Sequence, residues 1–134
     1  MNSKSRRVLA LVLLISLGHV ASSCAPAVSD PFDYGIASAK RGDYVTALQI
    51  FKPLADRGHP GAQGVLGRMY ATGEGVPQDY VQAYKWFTLS ATTQLAWAAN
   101  VRNASVSGRE FVAAKMTTAQ IAEAQKLASE WRPS

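Results

Sequence analysis

Few side chains here can do chemistry, and their spacing limits what they do. The chain has 134 residues with one cysteine, Cys24, and two histidines, His19 and His59. A single cysteine closes no intramolecular disulfide, and no Cys/His pairing carries structural-zinc spacing. His59 stands in the turn Gly58-His59-Pro60-Gly61. A catalytic histidine needs a nucleophile and an orienting group beside it. The sequence points to neither, so His59 reads as a solvated turn residue. Asp30, Asp43 and Asp79 precede apolar-periodic stretches, where a carboxylate caps a helix. Glu74 lies between Gly73 and Gly75, without the Gly-Lys-Ser/Thr of a phosphate loop. Trp86, Phe87 and the tyrosines fall at helical spacing and read as core rather than as a ligand cage. No catalytic residue, metal-ligand set or cofactor is assigned, and the chain reads as non-enzymatic.

Cys24 carries a different chemistry, because of what precedes it. Lys4, Arg6 and Arg7 form a basic head, residues 8–17 carry no charge and are mostly apolar, and small and polar residues follow. That order describes an export signal. Gly18, His19 and two serines interrupt the apolar run before it reaches the roughly 20 residues of a membrane span. Val20-Ala21-Ser22-Ser23-Cys24 resembles a bacterial lipobox, in which the cysteine is diacylated and becomes the mature N-terminus. Two acyl chains anchor stably where one binds only marginally. Ordinary cleavage after Ala27 would instead discard Cys24. Ala25 follows the cysteine where an aspartate would stand for inner-membrane retention, which by the same resemblance implies the outer membrane. Residues 1–23 are thus expected to be a lipoprotein-type signal, and residues 24–29 a linker. The mature protein would lie in the periplasm or on the periplasmic face of the outer membrane, held there by its lipid.

The signal also accounts for the charge. The whole chain has a formal charge of +5, which would raise nucleic acid as a partner. Removing Lys4, Arg6 and Arg7 leaves eleven basic against nine acidic residues, a net +2. No nucleic acid is expected.

Stepping the chain against itself by 36 residues reveals a duplication. Asp43-Tyr44-Val45 aligns with Asp79-Tyr80-Val81, Tyr34 with Tyr70, Ala47 with Ala83, Phe51 with Phe87 and Ala55 with Ala91. Ala62 with Ala98 and Val65 with Val101 continue the register. A repeat of this length with helical spacing is a helix-turn-helix unit that buries its apolar face only by stacking. Asp30-Pro31 starts one helix, with Asp33 in its first turn, and Arg41-Gly42 closes it. Asp43 caps the next, whose apolar stripe is Tyr44, Ala47, Leu48, Phe51, Leu54 and Ala55. Pro53 within it would kink the helix or remove one backbone bond. A third helix follows Gly58-His59-Pro60-Gly61. Residues 72–78 are breakers, and Asp79 with Gln82 forms a capping box for a fourth helix. Thr117 with Gln120 forms another, with Met116 and Ile121 as a hydrophobic staple. Ile121, Ala124, Leu127, Ala128 and Trp131 make the apolar face of a last helix.

Ala62-x-x-x-Leu66-Gly67-x-x-Tyr70-x-x-Gly73-x-Gly75-Val76-x-x-Asp79-x-x-x-Ala83-x-x-Trp86 resembles the Sel-one-like repeat, a relative of the tetratricopeptide repeat. Gly42-Asp43-Tyr44-x-x-Ala47 with Leu54-Ala55-x-x-Gly58 is similar to the degenerate first repeat of bacterial members. Residues 116–128 resemble the family's C-terminal helix. The resemblance implies an all-α fold, an α-α superhelix of antiparallel helix pairs ending in a capping helix. The helical domain is expected over 30–131, with repeats at 30–58 and 60–93, a partial third at 95–115 and the cap at 117–131. Residues 95–115 depart from the pattern. They form one long helix bent near Gly108, or two helices joined there.

Without catalytic groups, function falls to a surface. Helical solenoids dock partner segments on a concave face lined by the first helix of each pair. Asp33, Ser38, Gln63, Gly64, Arg68 and Thr72 fall off the apolar stripes and are the expected exposed, partner-binding positions. The chain is therefore expected to be an exported, lipid-anchored adaptor for other envelope proteins. The resemblance also admits a cell-wall-directed binding protein or hydrolase acting on peptidoglycan or a β-lactam.

Overall fold

The computed structural model describes residues 30–134; the signal, Cys24 and the linker lie outside the described residues. Prolines and aspartates set the helix starts. Asp30 accepts a hydrogen bond from the Phe32 amide (2.9 Å) and opens α1, Pro31–Lys40. Asp43 accepts from Thr46 N–H (3.1 Å) and opens α2, Tyr44–Asp56. Hydrogen bonding from the Thr46 side chain and then from its amide holds the Asp43 carboxyl below its usual range. Helix α3 is Pro60–Thr72 and α4 is Tyr80–Ala91. Asp79 accepts from Gln82 N–H (3.0 Å), but the reciprocal half of the expected capping box does not form among the described residues. Pro53 stays within α2, on its exposed side, and the helix continues three residues past it.

The segment of open register is one helix. A single 3-10 turn, Ala96–Ala98, leads directly into α5, Ala99–Ala113, which runs through Gly108 without a break. Helix α6, Thr118–Glu130, follows, with both bonds of the Thr117–Gln120 capping box present (2.9 and 3.2 Å). Among the described residues there are six α-helices and no strand.

Neighbouring helices pack as a solenoid, α1 on α2, α2 on α3, α3 on α4 and α4 on α5, while α3 also touches α5. Helix α6 lies along α4. Ala47, Phe51, Ala55, Leu66, Met69 and Trp86 form one buried cluster, and Ala83, Tyr84, Phe87, Val112 and Ala124 a second. Met116 and Ile121, the expected staple, pack on the second. Trp131 reaches back to the first, so the C-terminal segment ties both clusters together. The Ser134 amide reinforces this by donating to Asp56 C=O (3.0 Å).

The loop between α3 and α4 is held from within. Gln78 Nε2 donates to Ala71 C=O (2.8 Å) and Asp79 N–H to Tyr70 C=O (2.9 Å), satisfying carbonyls at the end of α3. Gly75 has φ +76°, and a Cβ there would stand 2.9 Å from Tyr44. Backbone angle and space both require glycine at this position.

Candidate binding groove

Helix α3 presents Gly61, Gly64, Val65, Arg68, Ala71 and Thr72 along one face, at the three- and four-residue steps that align side chains on a helix. Helix α5 presents Val101, Ala104, Ser105, Gly108 and Phe111 with the same periodicity. Between them runs an open groove of about 440 Å³, with Phe32 of α1 and Phe87 of α4 completing its lining. The stripe from Gly61 to Thr72 rises about 16 Å at 1.5 Å per residue.

Missing side chains shape the floor. A Cβ on Gly67 or on Gly108 would lie 2.7 Å from the Phe87 ring, so that ring is wedged between α3 and α5 because both positions are glycine. A Cβ on Gly64 would come 3.1 Å from Ser105 Oγ. That hydroxyl donates to Ser90 Oγ (2.7 Å), which donates to Pro60 C=O (2.8 Å). A Cβ on Gly61 would meet the Phe32 ring at 2.8 Å. The glycines therefore keep the helices close and leave a shallow apolar trough above them.

Arg68 is the only ionisable side chain in the groove lining, and no ion pair engages it among the described residues. It also borders an adjoining depression with Lys40, Tyr44, Thr72 and Glu74. There the Tyr44 hydroxyl donates to Glu74 Oε1 (2.9 Å), a bond that raises the phenol above its usual pKa. Thr72 Oγ1 donates to Arg68 C=O (3.1 Å). The groove is thus apolar with one cation at the end where α3 finishes.

The residues expected on this face divide. Arg68 and Thr72 are exposed and line the groove, and Gly64 lines it too. Asp33 is exposed but lies outside the lining. Ser38 and Gln63, expected at the surface, are buried at 0% and 3% exposure. Gln63 Nε2 donates to Ala55 C=O (3.2 Å), and Ser38 Oγ accepts from Arg41 (3.2 Å). In a stacked helix a polar face is also covered by neighbours, and these side chains are buried because they find partners there.

His59 likewise is not a solvated turn residue. Its Nδ1 accepts from Ala62 N–H (3.1 Å), capping α3, and its ring stacks on Phe32 at 4.7 Å between centroids. With Nδ1 committed to the cap, no nucleophile is hydrogen-bonded to the ring among the described residues. Nor does any group of three His, Cys, Asp or Glu there lie close enough to hold a metal. Phe111, 59% exposed, was missed from sequence. The signal that reaches it is the helical stripe from Val101 to Phe111, legible once that segment is one helix.

A family model for the Sel1 repeat matches residues 32–59 and 60–92. Over 63 residues the chain is 36% identical to an exopolysaccharide production negative regulator of Rhizobium leguminosarum bv. viciae, covering 45% of this chain and 24% of that protein. Over 98 residues it is 30% identical to a protein of the same description from Rhizobium meliloti (strain 1021), covering 63% of this chain and 36% of that protein. The chain spans about a third or less of these relatives. No solved structure matches it.

Proposed function

Because this chain is a Sel1-repeat protein, we propose that it is a non-catalytic adaptor that docks a partner protein in the groove between α3 and α5. The observation that carries this reading is the groove itself. It is apolar, open, edged by the exposed Phe111 and supplied with one cation, Arg68, that no ion pair engages among the described residues. Interfaces draw their energy from a few such aromatic and arginine anchors rather than from area.

The adaptor acts in the cell envelope, exported by residues 1–23 and anchored by a diacylated Cys24. The order of basic head, apolar run and small residues before that cysteine supports this part. Its partners are other envelope proteins. The regulators that share its repeats are named for exopolysaccharide production, and this chain acts in control of an envelope process of that kind, through binding rather than turnover.

A photo-crosslinking phenylalanine analogue at position 111, activated in intact cells, tests the docking face. A discrete adduct lost on Arg68→Glu, and absent when the analogue stands at Asp33, is expected. Adducts of equal yield at both positions, or turnover of peptidoglycan fragments by the purified chain, would remove the reading. Labelled palmitate should be retained by the wild type and lost in Cys24→Ala. A mature protein that begins beyond Cys24 would end the lipid anchor.

A further inference from the structure

We infer that the groove's occupant is an amphipathic helix of about three turns that places one acidic side chain against Arg68. This deepens the adaptor reading and rests on it. The argument starts from what the walls offer. Both walls are helices, so their main-chain donors and acceptors are spent internally. Of the wall hydroxyls, Ser105 donates to Ser90 and Thr72 to Arg68 C=O. An extended peptide laid here would turn N–H and C=O groups toward apolar walls where only Arg68 could bond one of them. A helix brings its backbone already satisfied and needs only an apolar stripe, which is what the trough accepts. The length agrees, since the stripe rises about 16 Å and three helical turns rise about the same.

Charge sets the polarity of that stripe. At the end where α3 finishes, Arg68 has no acid partner among the described residues. Lys115 sits over the Phe111 ring at 4.9 Å, and Lys40 borders the adjoining depression. Glu74, the acid in that depression, already accepts from Tyr44. An aspartate or glutamate on the docking helix would meet this end, while its apolar residues at i, i+3 or i+4, and i+7 lie along the glycine-backed trough. A bare acyl chain with a carboxylate would match the cation but leave its outer side in water. The groove is open along its length, whereas the helix turns a polar face outward.

The test is selection from a display library of random 12-residue peptides on the full chain, followed by fluorescence anisotropy and circular dichroism on the synthesised winners. Winners should share the helical apolar spacing with one acid and gain helicity on binding. Arg68→Glu should weaken them about tenfold or more, and lysine in place of the peptide's acid should restore binding to that variant. Ala104→Gln, at an exposed position of the lining, should abolish binding while leaving the thermal melt unchanged. Winners with period-two spacing that still lose binding on Ala104→Gln would overturn the helix and leave the groove as the docking face. No winners, or winners indifferent to Ala104→Gln, would overturn both. Saturable uptake of a fluorescent fatty acid, blocked by Ala104→Gln and with no peptide selected, would replace the helix by an acyl chain.

Discussion

Gly108→Ala separates the local preference of a helix from the packing it serves. Alanine in mid-helix is favoured over glycine by about 1 kcal/mol, so an isolated α5 would be stabilised. In the folded chain the new methyl would stand 2.7 Å from two atoms of the Phe87 ring. Carbon atoms in contact prefer about 3.5–4.0 Å, so ring or helix must move by about 1 Å. Little room is left for that movement, because Phe87 is only 7% exposed and an added Cβ on Gly67 of α3 would stand equally close to the same ring. Overpacking of this kind costs about 1–3 kcal/mol. Set against the propensity gain, the expected result is a net loss of about 1 kcal/mol, or a melting temperature about 5 °C lower for a domain of this size. The assay is thermal unfolding by circular dichroism, run as a cycle with Phe87→Leu. Phe87→Leu lowers the baseline by itself, but removes the ring that the methyl strikes. In that background Gly108→Ala should raise the melting temperature. A rise in the wild-type background, or an equal fall in both, would refute the wedge.

Three further outcomes are expected. His59→Ala removes the α3 cap and the stack on Phe32 and should cost about 1–2 kcal/mol in urea unfolding. His59→Asp keeps a cap acceptor and should recover about half. Trp131→Ala frees the half-buried tie between the C-terminal segment and the first cluster, costing about 1–3 kcal/mol. Hydrogen exchange should show α6 opening before α2 in that variant. Asp43 is held below its usual range by its bond with Thr46. Its stabilising contribution is therefore full above the ordinary aspartate value near 4 and lost as pH falls below it. Asp43→Asn, a comparable cap without a titrating group, should match the wild type at pH 7 and show a flatter acid limb in an unfolding series.

Much of the framework is written at short range. Asp30, Asp43 and Asp79 reach amides only two or three residues away, so composition and spacing are enough to place those helix starts. The Thr117–Gln120 box is local for the same reason. The groove lining was only half legible. Arg68 and Thr72 leave the apolar stripe, and in the structure they are exposed and line the groove. Ser38 and Gln63 leave it too, yet are buried, because their hydrogen-bond partners, Arg41 and Ala55 C=O, come from the helix ends and neighbours around them.

The sequence around Cys24 is the whole basis for the proposed export and anchoring. By itself the sequence determined the repeat, the all-helical class and five helix starts, since each rests on contacts within a turn or on a period along the chain. Tertiary structure alone decided that α5 runs unbroken through Gly108. A local rule counts only the entropy that glycine costs a helix, whereas the return comes from Phe87, on another helix. It likewise decided that His59 is a cap with a stacked ring, and that two glycine-backed stripes face each other. A groove belongs to two helices at once, and no single stretch of sequence contains it.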